Sequence, residues 1–339
     1  MGLMNDISSK YKTVSVVGMA KNAGKTTALN YLIAQAEDEG LRLGISSTGR
    51  DGESEDVVTG TSKPRIYLPE DSLVVTASEI YDLSDAGLEI LQMTDHSSPL
   101  GRIMICRVAE GGFVQTAGPV TTAGQKEICA FMLASGAEIV LIDGAIDRKS
   151  IAAPDASDGI ILATGAVLSR SMTRVAEETG FAAEVLGLPE LKNERIKIDI
   201  SENYDSILVF SEDAVKILPD KTGLAPGLSI SREISGDTRC VYLPGALTGS
   251  LIASVDPSLL AGLEFVVRDS TKVFADRNSW RQFKAKGLRV SVMSGVEIAA
   301  VTVNPQSPEG YSFDSAALID AVKRVVGDLP VIDVRSGVC

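Results

Sequence analysis

Histidine and aromatic residues are scarce in this chain of 339 residues. There is one histidine, and aromatic residues make up 5% of the sequence. A Ser–His–Asp triad or a histidine-based metal cluster would therefore have to use His96 alone. His96 lies in the segment TDHSSP, where we expect it to cap or flank a turn. The scarcity of histidine argues against both classes of site.

The cysteines are too dispersed to form a shared site. There are four of them, with no CxxC spacing: Cys106, Cys129, Cys240 and Cys339. This distribution argues against a disulfide framework and against a zinc site. Buried or free thiols in a reducing compartment are the simpler interpretation.

Basic residues and long apolar runs are also lacking. Lys and Arg number 32 against 45 Asp and Glu, which gives a net charge of −13. Proteins that bind a nucleic-acid duplex need a basic surface, so we expect no nucleic-acid partner. No apolar run approaches the roughly 18 residues of a membrane span, and residues 1–12 contain no signal-peptide core. We therefore expect a cytoplasmic protein without a membrane partner.

The first recognisable unit is a strand, a loop, a helix and a second strand. Thr13–Gly18 (TVSVVG) is rich in β-branched residues, which favour a strand. Apolar residues then recur at helical spacing from Lys25 to about Glu39, and Gly40 ends the pattern: Ala28, Leu29, Leu32, Ile33 and Ala36. Leu41–Ser46 reads as the next strand. A helix between two strands predicts that the strands are parallel.

The regular pattern weakens between residues 185 and 205, where we place a domain boundary. We expect a nucleotide-binding domain at residues 1–190 and a smaller α/β domain at residues 200–339. The strand predicted at Ala299–Val303 and the helix predicted at Ser315–Val326 are assigned to the second domain.

The strongest motif is GMAKNAGKTT, residues 18–27. Small residues let successive backbone N–H groups turn inward around phosphate oxygens, and the following helix adds its own free N–H groups. In this interpretation Lys25 reaches the β- and γ-phosphates and the Thr26 hydroxyl binds Mg²⁺. We expect Lys25 to face solvent, so that its removal would leave the fold intact. The other residues predicted to contact the nucleotide are Gly18, Lys21, Asn22, Ala23, Gly24 and Thr27.

A second motif is EIVLIDG, residues 138–144. A buried strand that ends in an acid carries the carboxylate to the edge of the sheet where the phosphate loop also lies. Asp143 is therefore predicted to hold Mg²⁺ directly or through water. An ordinary Asp-Gly turn is the alternative. Asp147, Arg148 and Lys149 follow, either facing the phosphates or forming a solvated loop.

The loop spacing resembles that of dethiobiotin synthetase and the cobyric acid synthase group, whose loop reads GTxTxxGKT. Gly18 lies six positions before Gly24, whereas the commonest P-loop has glycine in place of Met19. Lys21 is similar to the extra lysine of MinD- and ParA-like proteins, which reaches the nucleotide of a dimeric partner. It lies four residues before Lys25 rather than five, so a lysine exposed on the loop is favoured over inter-subunit catalysis by Lys21. A homodimer is left open. The resemblance implies an α/β P-loop NTPase fold with a mostly parallel sheet, ATP and Mg²⁺.

The same resemblance implies roles for two further segments. In related proteins the segment after the second strand senses the γ-phosphate, and here it reads STGRDGE from residue 47. Asp51 would position water or Mg²⁺ and Arg50 would stabilise transferred charge, with a flexible acidic loop as the alternative. Thr164 and Gly165 follow the strand predicted at Gly159–Ala163, where relatives place the nucleotide base. No NKxD sequence is present there, which favours ATP over GTP.

Two polar loops remain without an assigned role. Residues 303–310 and residues 244–249 are rich in turn-forming residues. Ordinary turns are the favoured interpretation, and binding of a ligand or partner is the alternative.

Three segments resemble a small bacterial family described as the reactivase subunit of lysine 5,6-aminomutase. They are residues 11–27, residues 47–54 and residues 141–154. The resemblance implies a role beside a MutS-like ATPase and an aminomutase that uses adenosylcobalamin and pyridoxal phosphate. It does not imply that this chain holds cobalamin, because the Asp-x-His-x-x-Gly motif is missing: His96 directly follows Asp95.

Three functions follow as hypotheses. The first is an ATPase subunit that reactivates a cobalamin-dependent lysine or ornithine aminomutase. The second is an ATP-dependent ligase or synthetase of the dethiobiotin or cobyric acid type, acting on a small carboxylate. The third is a scaffold that binds nucleotide without hydrolysing it.

Overall fold

A computed structural model describes residues 3–48, 66–145, 157–218 and 227–335. These residues form eighteen strands and nine α-helices. The strands are β1 (Thr13–Gly18), β2 (Leu43–Ser47), β3 (Ile66–Leu68), β4 (Leu73–Ala77), β5 (Gly87–Ser98), β6 (Gly101–Glu110), β7 (Gly112–Val114), β8 (Ile139–Ala145), β9 (Gly159–Gly165), β10 (Ile207–Ser211), β11 (Val215–Leu218), β12 (Thr238–Leu243), β13 (Leu247–Thr248), β14 (Glu264–Val267), β15 (Val273–Phe274), β16 (Arg289–Val292), β17 (Glu297–Asn304) and β18 (Val331–Asp333). The helices are α1 (Leu3–Lys10), α2 (Lys25–Asp38), α3 (Thr122–Ala134), α4 (Met172–Leu186), α5 (Glu194–Glu202), α6 (Gly227–Glu233), α7 (Gly249–Ser254), α8 (Arg277–Ala285) and α9 (Ser315–Val326).

The chain divides into two compact units. Unit 1 comprises Met1–Ala183 together with Glu297–Cys339, and unit 2 comprises Glu184–Val296. None of the helices within the described ranges has the length and hydropathy of a membrane-spanning segment.

Unit 1 is built on a nine-stranded sheet in the order β18-β17-β9-β1-β8-β2-β4-β6-β5. Neighbouring strands from β18 across to β4 are parallel. Strand β6 is antiparallel to both β4 and β5. The predicted α/β class with a mostly parallel sheet is thus confirmed, and the antiparallel edge is an addition that the sequence analysis did not include.

The core of unit 1 lies on both faces of this sheet because alternate residues of a strand point to opposite sides. In β8, Ile139 and Leu141 belong to one apolar cluster, which includes the buried side of α2. Val140 and Ile142 belong to a second cluster, which includes the buried side of α3. The residues that α2 buries are those given by its spacing: Ala28, Leu29, Leu32, Ile33 and Ala36.

Unit 2 contains a five-stranded sheet in the order β11-β10-β12-β14-β16. Strands β12, β14 and β16 are parallel, whereas β10 is antiparallel to its two neighbours. Its core includes Ile200 of α5 against Leu208, Phe210 and Tyr242. Trp280 of α8 is fully buried, and its indole N–H donates to Glu184 at 3.0 Å.

The expected extent of the second domain, residues 200–339, is wrong at its C-terminal end. Strand β17 pairs with β9 along a register that runs from Glu297 opposite Gly159 to Asn304 opposite Gly165. Strand β18 then pairs with β17. The last strands therefore complete the sheet of unit 1, and unit 2 is an insertion between α4 and β17.

His96 does not lie in a turn, contrary to the sequence-based expectation. It is part of the edge strand β5, and its Nε2 atom is 3.0 Å from the Glu127 carboxylate of α3. A Cβ on Gly124 would lie 3.0 Å from the imidazole, so the ring packs directly on the first turn of α3. The histidine joins an edge strand to a helix.

Candidate functional site

The Gly18–Gly24 loop joins the end of β1 to the start of α2 at the carboxyl edge of the large sheet. The loop is fixed at its start by the Met19 N–H, which donates to the Ala163 carbonyl at 2.9 Å. Its backbone then enters the left-handed region at Asn22 (φ 63°) and Gly24 (φ 95°). Asparagine and glycine are the residues that adopt this conformation most readily.

Helix α2 begins directly after this loop. Gly24 is its N-cap, and the Gly24 carbonyl accepts from the Ala28 N–H at 2.8 Å. Lys25, Thr26 and Thr27 form the first turn, whose N–H groups have no partner within the helix itself. Ala23 is buried, whereas Lys21 and Asn22 are exposed. The loop and the helix therefore have the arrangement that binds anions at helix N-termini.

Lys25 and Asp143 form an ion pair at the centre of this edge. Lys25 Nζ lies 2.9 Å from Asp143 Oδ1, with side chains 20% and 7% exposed. The expectation that Lys25 faces solvent is therefore wrong: it compensates the charge of a buried carboxylate. Asp143 lies opposite Val16 of β1 on one side and Ser47 of β2 on the other. This register places Asp143 beside the end of β1, and Lys25 follows the loop that begins there.

The oxygen groups at this position suit a magnesium ion. Mg²⁺ prefers hard oxygen ligands, and it binds proteins through one or two carboxylates together with phosphates and water. The Asp143 carboxylate and the Thr26 hydroxyl are of this kind. They are the residues that would hold Mg²⁺ here.

Thr164 and Gly165 are the last residues of β9 rather than part of a following loop. Thr164 is buried, and its hydroxyl is 2.8 Å from that of Thr179 on α4. Gly165 lies against β17, where an added Cβ would be 2.4 Å from the Asn304 carbonyl oxygen. The role of both residues at the nucleotide base stays a prediction.

Asn304 is a site residue that the sequence analysis did not identify. A Cβ on Gly24 would lie 2.8 Å from Asn304 Cβ and 3.3 Å from its Nδ2 atom, so the asparagine packs on the start of α2. The Asn304 Oδ1 atom accepts from the Gln306 N–H at 3.1 Å. The only sequence signal was a polar Asn-Pro at a strand end, and that strand had been assigned to the other domain.

The segments that follow β9 and β17 contact each other beside Asn304. The Tyr311 hydroxyl donates to the Ala166 carbonyl at 2.5 Å. Arg170 lies over the Tyr311 ring, 5.0 Å from its centroid, and pairs with Glu309 at 3.0 Å. The polar loop predicted at residues 303–310 thus lies beside the Gly18–Gly24 loop, at the same edge of the sheet.

Several predicted residues lie outside the described ranges. These are Arg50, Asp51, Asp147, Arg148 and Lys149. Their proposed roles stay predictions.

A separate recess lies within unit 2, where residues 244–249 were predicted to form a turn. Its volume is about 440 Å³, and it lies between the first turns of α7 and α8. Its polar groups include Thr248, which caps α7, and Asp276, which caps α8. Helix capping accounts for both side chains.

Comparison with protein-family models, with curated proteins and with solved structures finds no significant match to this chain.

Proposed function

We propose that this protein is a P-loop ATPase that binds Mg-ATP between the Gly18–Gly24 loop and Asp143. The observation that carries the proposal is the 2.9 Å contact between Lys25 and Asp143 at the N-terminus of α2. A helix N-terminus favours phosphate, a lysine neutralises it and an adjacent carboxylate holds the metal ion. These three groups meet at one edge of the sheet although Lys25 and Asp143 are far apart in sequence.

Binding of Mg-ATP would replace the ion pair between Lys25 and Asp143 with two new ones, lysine with phosphate and carboxylate with Mg²⁺. Lys25 would then pair with the β- and γ-phosphates, and Asp143 and Thr26 would hold Mg²⁺. When bound, Mg²⁺ neutralises charge on the phosphates and orients them. The buried carboxylate is compensated both before and after binding, so the site opens without leaving a bare charge in the interior.

The base would lie toward the ends of β9 and β17. Gly165 lets the end of β17 pack closely against β9, and Asn304 at that end offers an amide that can donate and accept hydrogen bonds. ATP is preferred to GTP because the chain lacks an NKxD sequence after β9.

Equilibrium dialysis with labelled ATP, with and without Mg²⁺, tests the nucleotide site. Asp143→Asn should raise the Mg²⁺ concentration needed for tight binding while leaving metal-free binding nearly unchanged, because it removes a metal-facing charge but keeps the shape. Identical Mg²⁺ curves for the variant and the wild type would mean that Asp143 does not face the metal.

We further propose that ATP turnover by this chain reactivates an adenosylcobalamin-dependent aminomutase in the cytoplasm, together with a MutS-like ATPase. The support is the resemblance of residues 11–27, 47–54 and 141–154 to the reactivase family. Two of these segments contain Lys25 and Asp143, so the resemblance is concentrated where the proposed phosphate site lies. Enzymes of this class become inactivated during turnover, and replacing a tightly held damaged cofactor requires energy.

The test begins with lysine or ornithine aminomutase inactivated by turnover. This protein, the MutS-like ATPase, Mg-ATP and fresh cofactor are added, and recovered activity is measured. Recovery should require this chain and fail with Lys25→Ala. Equal recovery without the chain would reject the reactivase role. Phosphate release that depends on a small carboxylate alone would favour the synthetase, and ATP binding without release would favour the scaffold.

A further inference from the structure

Two stretches of backbone cross in close contact next to Asp143. Ser47 ends β2 and lies opposite Asp143 in the sheet register. Gly118, in the connection from β7 to α3, lies directly against it: a Cβ on Gly118 would be 1.5 Å from the Ser47 carbonyl oxygen and 2.7 Å from its carbon. No side chain fits in this space, so the crossing requires glycine at position 118.

The residue after Ser47 binds the backbone of Asp143. The Thr48 N–H and the Thr48 hydroxyl both donate to the Asp143 carbonyl oxygen, at 3.1 Å and 3.2 Å. These two bonds fix the carbonyl of the residue whose side chain faces Lys25. A displacement of Thr48 would therefore break or lengthen both bonds and let the Asp143 peptide move.

The segment that carries Gly118 is itself held in place. We call residues 115–121 the crossing segment. The Ala117 N–H donates to the Val75 carbonyl at 3.1 Å, and the Thr76 hydroxyl donates to the Gln115 carbonyl at 2.9 Å. At its other end, Thr121 caps α3 by accepting from the Gly124 N–H. The segment is thus tied to β4 at one end and to α3 at the other.

We propose that Thr48 and Gly118 are positioning residues for Asp143 in the proposed magnesium site. Gly118 lets the crossing segment hold Ser47 in place, and Thr48 carries that constraint to the Asp143 carbonyl. The carboxylate then meets Lys25, and in turn the metal ion, in one orientation. Substituting a group that orients a metal ligand commonly lowers the affinity for the metal ion, although the group does not touch the ion itself.

Two variants and two matched controls test this proposal. Thr48→Val removes the hydroxyl bond to Asp143, and Gly118→Ala forces the two backbones apart. Thr94→Val removes a bond from a threonine hydroxyl to the Ile103 carbonyl, together with the bond that this hydroxyl accepts from the His96 N–H. Gly236→Ala adds a methyl group where nothing lies within 4 Å.

The first readout is the Mg²⁺ concentration for half-maximal enhancement of ATP binding, and it rests on the proposed function. Loss of one hydrogen bond should raise that concentration by about two- to tenfold in Thr48→Val. Gly118→Ala should raise it further, while ATP binding in EDTA and both controls stay at wild-type values. Wild-type Mg²⁺ curves in both variants would overturn the proposal and leave the nucleotide site standing.

The second readout needs no nucleotide. Hydrogen exchange at the Thr48 amide should accelerate in Gly118→Ala and stay unchanged in Gly236→Ala, because the displaced Thr48 N–H loses the Asp143 carbonyl. If the wild type binds no ATP, the proposed function fails and this exchange rate still decides the positioning role. An unchanged rate in a folded Gly118→Ala protein overturns it.

Discussion

The pairing of Lys25 with Asp143 links stability and binding at the level of single residues. Removing one member of a buried ion pair leaves the other charged and uncompensated, which costs more than the pair itself contributes. The two side chains are 20% and 7% exposed, so water reaches the lysine more readily than the carboxylate. Lys25 therefore has a structural role in addition to its proposed role in phosphate binding.

Lys25→Ala should lower the free energy of unfolding by about 2 kcal/mol and abolish Mg-ATP binding. The double variant Lys25→Ala with Asp143→Ala should regain part of that stability, because no unpaired charge remains, but none of the binding. Urea unfolding and equilibrium dialysis measure the two effects. A double variant less stable than Lys25→Ala alone would show that the pair is not coupled.

Gly24 and Gly40 offer a comparison between backbone strain and side-chain collision. Both have positive φ, 95° and 69°, but only Gly24 has a neighbour in the path of a Cβ, namely Asn304. Gly40→Ala should cost about 1 kcal/mol of stability and leave ATP binding intact. Gly24→Ala should cost more and impair ATP binding.

The measurement is urea unfolding of both variants with ATP dialysis. Adding Asn304→Gly to the Gly24→Ala variant removes the Cβ that the new methyl group meets, and should recover part of the loss. Equal destabilisation at positions 24 and 40 would contradict the collision with Asn304.

Individual elements around the proposed nucleotide site could be predicted because their signals are local. Strand β1 has the predicted bounds, and α2 begins at the predicted residue and buries the predicted side. The partners of a strand are not a local property. The strand at Ala299–Val303 was recognised, but four consecutive buried residues, 300–303, suit any strand that is covered on both faces. Its pairing with β9 could therefore not be read from the sequence.

The residues of the candidate site also fall into those with a local sequence signal and those without one. The residues from Gly18 to Thr27 were found because they are contiguous, and Asp143 was found because an acid ends an apolar strand. Asn304 and Gly118 reach the site only through sheet order and backbone crossing. Neither feature leaves a pattern in the neighbouring sequence.

Tyr11 ties β1 to β17 at the opposite edge of the sheet. Its hydroxyl donates to Glu297 Oε2 at 2.8 Å. Burial, followed by the hydrogen bond to Glu297 and its charge, raises the pKa of Tyr11 to about 12 from 10. The folded state therefore favours the neutral phenol, and this stabilisation is complete below pH 10 and lost as the pH rises toward 12.

Tyr11→Phe should be less stable than the wild type at neutral pH and should lose less stability between pH 10 and pH 12. Urea unfolding across that interval measures the difference in slope. Burial also raises the pKa of Tyr242 in unit 2 to about 12. Because Tyr242 is present in both the wild type and the variant, its contribution cancels when their pH profiles are compared. Parallel pH profiles would contradict the link between Tyr11 and Glu297.

For the molecule as a whole, unit 2 is an insertion into a chain that returns to its first sheet. Replacing residues 187–296 by a flexible Gly/Ser linker keeps all of α4 and the whole of β17. This variant should retain Mg-ATP binding, since the Gly18–Gly24 loop, Asp143 and Asn304 all belong to unit 1.

The matched control ends at Val296 and lacks β17 and β18. It should lose both ATP binding and solubility, because β9 becomes an open edge. Dialysis and gel filtration distinguish the two proteins. Tight ATP binding by the chain ending at Val296 would show that the return strands are dispensable.

The return of β17 also sets the order of events on the ribosome. Strands β1, β8 and β9 emerge first, and at roughly 5–20 residues per second unit 2 then occupies the ribosome for on the order of 10 s. Throughout that interval the edge of β9 that later pairs with β17 has no partner strand, and the Gly18–Gly24 loop lacks its contact with Asn304. A nascent chain that pauses before Glu297 therefore offers an apolar, unpaired edge to other nascent chains, and the proposed ATP site is completed only when β17 brings Asn304 against Gly24.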